Sequence, residues 1–287
     1  MALSTNVLAE GKGWRVIDAI CSFGPQDRPF EERHAGISVA AVVSGTFQYR
    51  TQQGAATLVP GALMLRNDGA CFRCGHAHST GDRCLAFHFT PAFFECVVAD
   101  MPGAKRPGFA VPSLPPLQQL LPLFAEAEVA RDEGDGAAFE ELALRFASAA
   151  ITLSAEKRAP VRQPSARDER RVSEVVRRIE REAEAPHPLA ELAKDADLSP
   201  YHFLRSFAQV AGVTPHQYVL RTRLHRAALR LRRTRDSITE IAYGAGFNDL
   251  STFNRRFRRL MGMSPGAYRA QGSRATAPCR SARPGSR

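Results

Sequence analysis

One pattern of residues is written twice between Leu189 and Tyr268, and this internal repeat constrains the chain more than any other feature. Leu189, Leu192, Ala193, Ala196 and Leu198 recur 49 positions later as Ile238, Ile241, Ala242, Ala245 and Phe247. The offset then becomes 50: Phe203, Arg205, Phe207, Gly212, Thr214, Pro215 and Tyr218 return as Phe253, Arg255, Phe257, Gly262, Ser264, Pro265 and Tyr268. One extra residue, near Asn248, therefore sits in the turn of the second copy. Each copy reads as a short helix, a tight turn and a second helix. In the first, apolar residues at 189, 192, 193 and 196 keep the helical spacing of three and four. Ser199-Pro200 then supplies an N-cap and a proline at the first helical position, Gly212 stops the helix, and Thr214-Pro215 caps the next one. The second copy opens on a Ser237/Glu240 capping box, breaks around Gly244 to Gly246, restarts at Asp249 and is closed by Ser264-Pro265. Two helices crossing through a short turn form a helix-turn-helix, whose second helix enters the DNA major groove.

A helical wheel separates the side chains of each second helix. Phe253, Phe257 and Leu260 point one way, and Ser251, Asn254, Arg255 and Arg258 the other. In the first copy Phe203, Phe207 and Val210 point inward, leaving Tyr201, Leu204, Arg205 and Ala208 outward. His202 and Thr252 complete the candidate DNA contacts. Arginine forks onto guanine O6 and N7, asparagine onto adenine N6 and N7, and apolar groups meet the thymine methyl. Arg and Ser are ordinary on a solvated helix face too, but two aligned outward faces in a duplicated motif favour DNA reading.

Ala-x-Leu-Ser-Pro-Tyr-His-Phe-x-Arg-x-Phe from Ala196 to Phe207, Ile-Ala-x-x-x-Gly-Phe-x-x-x-Ser-x-Phe-x-Arg-x-Phe from Ile241 to Phe257, and Gly-Met-Ser-Pro-x-x-Tyr-Arg from Gly262 to Arg269 resemble the AraC/XylS transcription regulators. The likeness covers about Arg170 to Arg269. It implies seven helices, with reading helices at 200–211 and 250–261 joined by a long helix over 215–233. The partners it implies are double-stranded operator DNA, RNA polymerase and a small-molecule effector. Leu204 departs from the pattern, standing where many relatives place a polar reader.

Charge is divided as that reading requires. Residues 1–160 hold 14 Lys+Arg against 17 Asp+Glu, and the remainder hold 25 against 12, so the net charge of +10 belongs to the repeat half. A GC-rich genome, favouring Arg and Ala, would also raise this balance, so charge supports DNA binding without establishing it. No run of 18 apolar residues appears, and Met1 to Trp14 lacks a basic start followed by an apolar stretch. A cytoplasmic protein is expected.

The fold class expected is α+β. Ile37–Tyr49, 56–59, 63–66, 70–74 and 84–90 read as short strands, punctuated by Gly45, 52–54, Pro60-Gly61, 67–69 and 79–82. Such strands suggest a sandwich or barrel. The Gly-Thr turn at 45 and Val-Pro-Gly at 59–61 resemble the small cupin barrel that many AraC-type regulators use for effector sensing. Leu114–Val129 and Ala137–Ala155 read as helices, with stripes at Leu117, Leu120, Leu121 and Phe124 and at Phe139, Leu142, Phe146, Ala150 and Leu153. These stripes either pack on the barrel or pair across a two-fold axis in a homodimer. The domains expected are a cupin-like sensing and dimerisation domain over 1–155, a linker over 156–167, a DNA-binding domain over 168–270 and a disordered tail over 271–287.

Of six cysteines, Cys71, Cys74 and Cys84 fall close to His76 and His78. Positions 74, 76 and 78 share one face of an extended strand, and thiolate with imidazole at that spacing holds Zn²⁺ or another transition metal. His34 could join them in the barrel mouth. Cysteine is equally a common buried residue, and no second Cys-x-x-Cys completes a structural zinc site. The candidate effector or metal residues are thus His34, Cys71, Cys74, His76, His78 and Cys84, with zinc as the candidate cofactor and a small molecule, a metal or a redox change at the thiols as the candidate signal. The alternative to a regulator is a cupin metalloenzyme fused to a DNA-binding domain. It is disfavoured because His76-x-His78 is followed by Ser79, Thr80 and Gly81 before Asp82, with His88 beyond Cys84, and no catalytic residue is assigned.

Overall fold

The computed structural model describes residues 3–33, 35–101, 108–155 and 164–275, with side chains described as far as 271. The N-terminal strands are β1 (Leu3–Gly11), β2 (Trp14–Cys21), β3 (Phe30–Arg33), β4 (Ile37–Gly45), β5 (Phe47–Thr51), β6 (Gly54–Leu58), β7 (Leu63–Arg66), β8 (Cys71–Gly75), β9 (Asp82–Phe89) and β10 (Ser113–Leu114). They form two antiparallel sheets, ordered β1-β2-β9-β4-β7-β10 and β3-β8-β5-β6. Alternation along β9 shows how the layers stack: Leu85, Phe87 and Phe89 join an outer core with helices, while Cys84 and Ala86 face Phe47, Tyr49, Phe72 and Cys74 of the smaller sheet. The large sheet is covered on both sides. This is why Ile37 to Val42 are buried in succession and read as a continuous apolar run.

The expected strand over 37–49 divides at Gly45, whose φ of +82° turns the chain from β4 in one sheet to β5 in the other. Three elements leave little signal in the sequence. β1 is largely exposed and paired only with β2, so it shows no apolar alternation. β3 is four residues long, and α1 (Pro91–Ala99) buries only Phe94 and Val98.

The helix expected from Leu114 begins later. Leu114 lies in β10 opposite Leu63, and the prolines at 115 and 116 exclude helix there. After a short 3-10 turn, α2 runs Leu121–Glu133 with Pro122 in its first turn, and α3 runs Ala138–Ala155. The helix stripes are covered by the barrel: Phe139, Leu142, Phe146 and Ala150 join the outer core, where Phe146 stacks on Phe87 at 4.4 Å between ring centroids. α2 is shared between lobes. Leu120 and Phe124 face the barrel core, whereas Leu121 and Ala125 belong to a core of the C-terminal helices.

Those helices are α4 (Ala166–Arg181), α5 (Leu189–Asp195), α6 (Pro200–Ala211), α7 (Pro215–Arg233), α8 (Ile238–Gly244), α9 (Leu250–Met261) and α10 (Pro265–Ala275). Capping residues terminate them as the sequence requires: Ser199, Thr214, Ser237 and Asp249 each accept from a backbone N–H three residues on, with full capping boxes at Thr214/Gln217 and Ser237/Glu240. The repeat is repeated in packing. Phe203, Phe207 and Tyr218 meet edge to face at 5.6 and 5.9 Å, and Phe253, Phe257 and Tyr268 meet at 5.5 and 5.6 Å. The turns correspond as well. Asp197 (φ 49°) and Gly246 (φ 82°) hold the same left-handed step, and the second turn carries one more residue before its cap. α4 starts inside the expected linker, of which 156–163 lie outside the described residues, and α10 extends to Ala275, into the expected tail.

The two lobes touch through α7. Val59 joins the core of the first repeat, and the Tyr218 hydroxyl, held by Glu180 of α4 at 2.8 Å, also reaches the Pro60 carbonyl oxygen at 3.5 Å. Arg221 is 3 % exposed, lies 5.1 Å over the Phe124 ring, and packs its guanidinium against Gly61 in the β6–β7 turn. Burial pulls its pKa down from the usual arginine range.

Candidate nucleic-acid interface and inter-sheet cavity

In α6 the Ser199 cap and the buried pair Phe203 and Phe207 orient the helix so that Tyr201, 72 % exposed, His202, Leu204, 38 % exposed, and Arg205 lie on the surface. Ala208 is half-buried beside a cavity lined by Ala55–Val59 of the smaller sheet, so the outward face of α6 ends one turn earlier than its helical wheel predicts. In α9 the Asp249 carboxylate accepts from Thr252 N at 2.7 Å, and that backbone hydrogen bond holds its pKa down. Ser251, Arg255 and Arg258 are exposed, and Thr252 and Asn254 are half-buried. Leu260, expected inward, is half-buried, while Met261 takes the buried place. Both exposed faces are thus presented by rigid helices, each anchored by two buried phenylalanines. Tyr243, exposed on α8, is not among the predicted contacts. Its signal emerges only once Ile241 and Ala242 are known to be the buried face of that helix.

Residues 192–271 match a family described as a helix-turn-helix domain. The Transposon Tn10 TetD protein of Escherichia coli is 34 % identical over 98 residues, which span 34 % of this chain and 71 % of that protein. The chain belongs to the AraC-type helix-turn-helix family. The probable transcriptional regulator LumQ of Photobacterium leiognathi is 39 % identical over 90 residues, 31 % of this chain and 36 % of LumQ. A crystal structure of the DNA-binding domain of AdpA, a global transcriptional factor in complex with a target DNA, is 30 % identical and covers 37 % of this chain and 95 % of that one, with a TM-score of 0.36. The matched segments span about a third to a half of the first curated relatives' length. Among the described residues of this AraC-type chain, no helix is long and apolar enough to cross a membrane.

The second candidate site is only partly assembled as the sequence suggests. A cavity of about 260 Å³ between the sheets is lined by Cys74, His76 and Cys84 together with Cys21, Asp82 and His88. Cys71 is exposed, because odd positions of β8 face outward. His78 leaves the shared face because β8 ends at Gly75, and its carbonyl oxygen accepts instead from the Arg177 guanidinium of α4. His34 lies outside the described residues. Cys21, which carries no motif, arrives through strand register: it stands directly across from Asp82 in the β2–β9 ladder. Burial pushes the Cys21 thiol up to about 11 and Cys74 up to about 12, and Cys84 rises in the same direction. His88 is lowered to about 4 by burial and then by Arg66 and Arg15, so it is neutral at pH 7. Buried protonated thiols are poor nucleophiles, which counts against a redox sensor at Cys74 and Cys84.

Proposed function

We propose that the protein is a sequence-specific DNA-binding transcription regulator of the AraC type. In this reading the N-terminal pair of sheets is a cupin-like sensing domain, and operator DNA and RNA polymerase are the partners. The observation that carries the reading is the duplicated helix-turn-helix, both of whose second helices are capped by a side chain accepting from the backbone N–H three residues on, with Arg205 on one exposed face and Ser251, Arg255 and Arg258 on the other. The N-terminal lobe acts as a sensor rather than as a catalyst. Its cavity is lined by two histidines, His76 and His88, two carboxylates, Glu32 and Asp82, and three cysteines, Cys21, Cys74 and Cys84, and His78 of the His-x-His pair is not among the lining residues.

Binding of the full chain to fragments of its own promoter tests this directly. Arg255→Ala and Asn254→Ala are each expected to cost about 1–3 kcal/mol of specific affinity and to relax preference at one or two base pairs. Arg258→Ala is expected to weaken specific and random DNA alike, as loss of a phosphate contact does. Equal losses on both DNAs for Arg255→Ala would contradict base reading by α9.

A geometric expectation follows from α7. Its 19 residues span about 28 Å at about 1.5 Å per residue. The two reading helices can then enter successive major grooves about 34 Å apart on one face of the duplex. Footprinting of the full chain should show an asymmetric site with half-elements centred about 10 base pairs apart. Protection of one groove only would mean that one of the two units does not read DNA.

A further inference from the structure

We propose that Cys21, His76 and Asp82 form a binding site for a thiophilic divalent cation of the Zn²⁺ class, at the edge of the inter-sheet cavity. The Cys21 Sγ, a His76 ring nitrogen and an Asp82 carboxylate oxygen all lie within 4.8 Å of one another. His76 Nε2 is 2.6 Å from Asp82 Oδ1, and the second carboxylate oxygen is 3.5 Å from Cys84 Sγ. Around zinc, with bonds of about 2.0–2.3 Å to nitrogen, oxygen and sulfur, tetrahedral ligand atoms stand about 3.3–3.8 Å apart. The His76–Asp82 pair thus needs to open by under about 1 Å to admit the ion.

Three features make this a built site. Two of its residues are cross-strand partners, Cys21 opposite Asp82 in the β2–β9 ladder, so sheet register holds sulfur and carboxylate together. His76 is 4 % exposed and is packed between Phe23 and Phe47, with ring centroids at 6.3 and 5.7 Å, which holds its imidazole in place. Sulfur, nitrogen and oxygen in one set select zinc-like ions over magnesium or calcium, which take oxygen ligands. Loading displaces the Cys21 thiol proton to solvent as the sulfur–metal bond forms.

Three protein ligands leave a fourth position, as in zinc sites that bind water or a small ligand. All three residues line the cavity, as does Cys84 beside them. The segment bracketed by His76 and Asp82 is also tied to the rest of the molecule. Ala77 N donates to Gln48 Oε1 at 3.1 Å, Gly81 N donates to Phe23 O at 2.8 Å, and the His78 carbonyl accepts from Arg177 of α4. The cation would therefore close a loop that touches the DNA-binding lobe.

The test uses the full chain, reduced, stripped with a chelator and titrated with Zn²⁺ against a colorimetric competitor, and separately with Co²⁺. The expected result is one equivalent per chain and a cobalt–thiolate charge-transfer band. Cys21→Ser should abolish the band, and both Cys21→Ser and Asp82→Asn should weaken Zn²⁺ binding by about a hundredfold or more. Cys71→Ser and Cys96→Ser, at exposed thiols, should retain both signals. Circular dichroism checks folding, and if Cys21→Ser unfolds, Asp82→Asn decides. Absence of stoichiometric uptake by the wild-type chain, uptake unchanged in a folded Cys21→Ser or Asp82→Asn protein, or signals lost with Cys71→Ser or Cys96→Ser would overturn the assignment.

Discussion

Phe253→Ala is expected to destabilise the C-terminal lobe by about 3–5 kcal/mol, the range for truncating a buried aromatic side chain. Phe253 is fully buried, with its ring 5.2 Å from Phe247 and 5.5 Å from Phe257. It joins Leu224, Ala242 and Tyr268 in one core, so no neighbour can collapse into the gap without moving a helix. The loss reaches function because Phe253 lies in α9 itself, and its anchoring sets where Arg255 and Arg258 are presented. Urea unfolding with two probes isolates the effect. Trp14, the single tryptophan, lies in the outer barrel core and reports the N-terminal lobe, while far-ultraviolet circular dichroism is dominated by helices. The dichroism transition should move to lower urea by more than the fluorescence transition, and promoter affinity should fall with it. A shift worth less than about 1 kcal/mol would mean that this core is not packed as described.

The second large effect is expected at Gly61→Ala, at the junction of the lobes. Gly61 has φ +88°, a conformation that costs an L residue about 1–2 kcal/mol. An added Cβ would also overlap the Arg221 guanidinium, which is confined between this turn and the Phe124 ring. Overpacking of that kind costs about 1–3 kcal/mol, giving about 2–5 kcal/mol in all. A double-mutant cycle separates the parts. In Gly61→Ala combined with Arg221→Ala the overlap is gone and the change at 61 adds only its backbone cost to the loss of Arg221, so the pair should be less destabilised than the sum of the singles. Additive losses would show that Arg221 does not rest on this turn in solution.

The C-terminal lobe was legible because its determinants are local. A cap, a proline at the first turn, a left-handed glycine stop and apolar spacing of three and four lie within a few residues of each other, and all of them occur twice. Ser199, Gly212, Thr214, Ser237 and Asp249 mark helix ends that the structure places at those positions. Even the extra residue of the second turn, near Asn248, follows from the change in repeat offset. The AraC-type assignment rests on that same stretch, which is the stretch the family match covers.

The N-terminal lobe was legible only as short strands, because partner choice in a sheet is not local. Nothing near Cys21 announces Asp82, and only the antiparallel register of β2 and β9 brings them face to face. The same limit explains the partial reading of the 71–84 stretch. Alternation correctly joins Cys74 to His76, but where β8 ends decides that His78 turns away to α4, and which face is inner decides that Cys71 is exposed. α2 makes the point for helices. Its apolar residues read as one stripe, yet Phe124 and Leu121 serve different cores, because the helix lies between the barrel and the second repeat. Sequence by itself determined the helix ends within the repeat, its duplicated helix-turn-helix architecture and the exposure of Arg205, Ser251, Arg255 and Arg258, since capping and periodicity act within one or two turns. Tertiary structure alone decided which thiols and carboxylates meet and how α7 seats Arg221 on the β6–β7 turn. Those contacts join residues tens to more than a hundred positions apart, and no local preference encodes them.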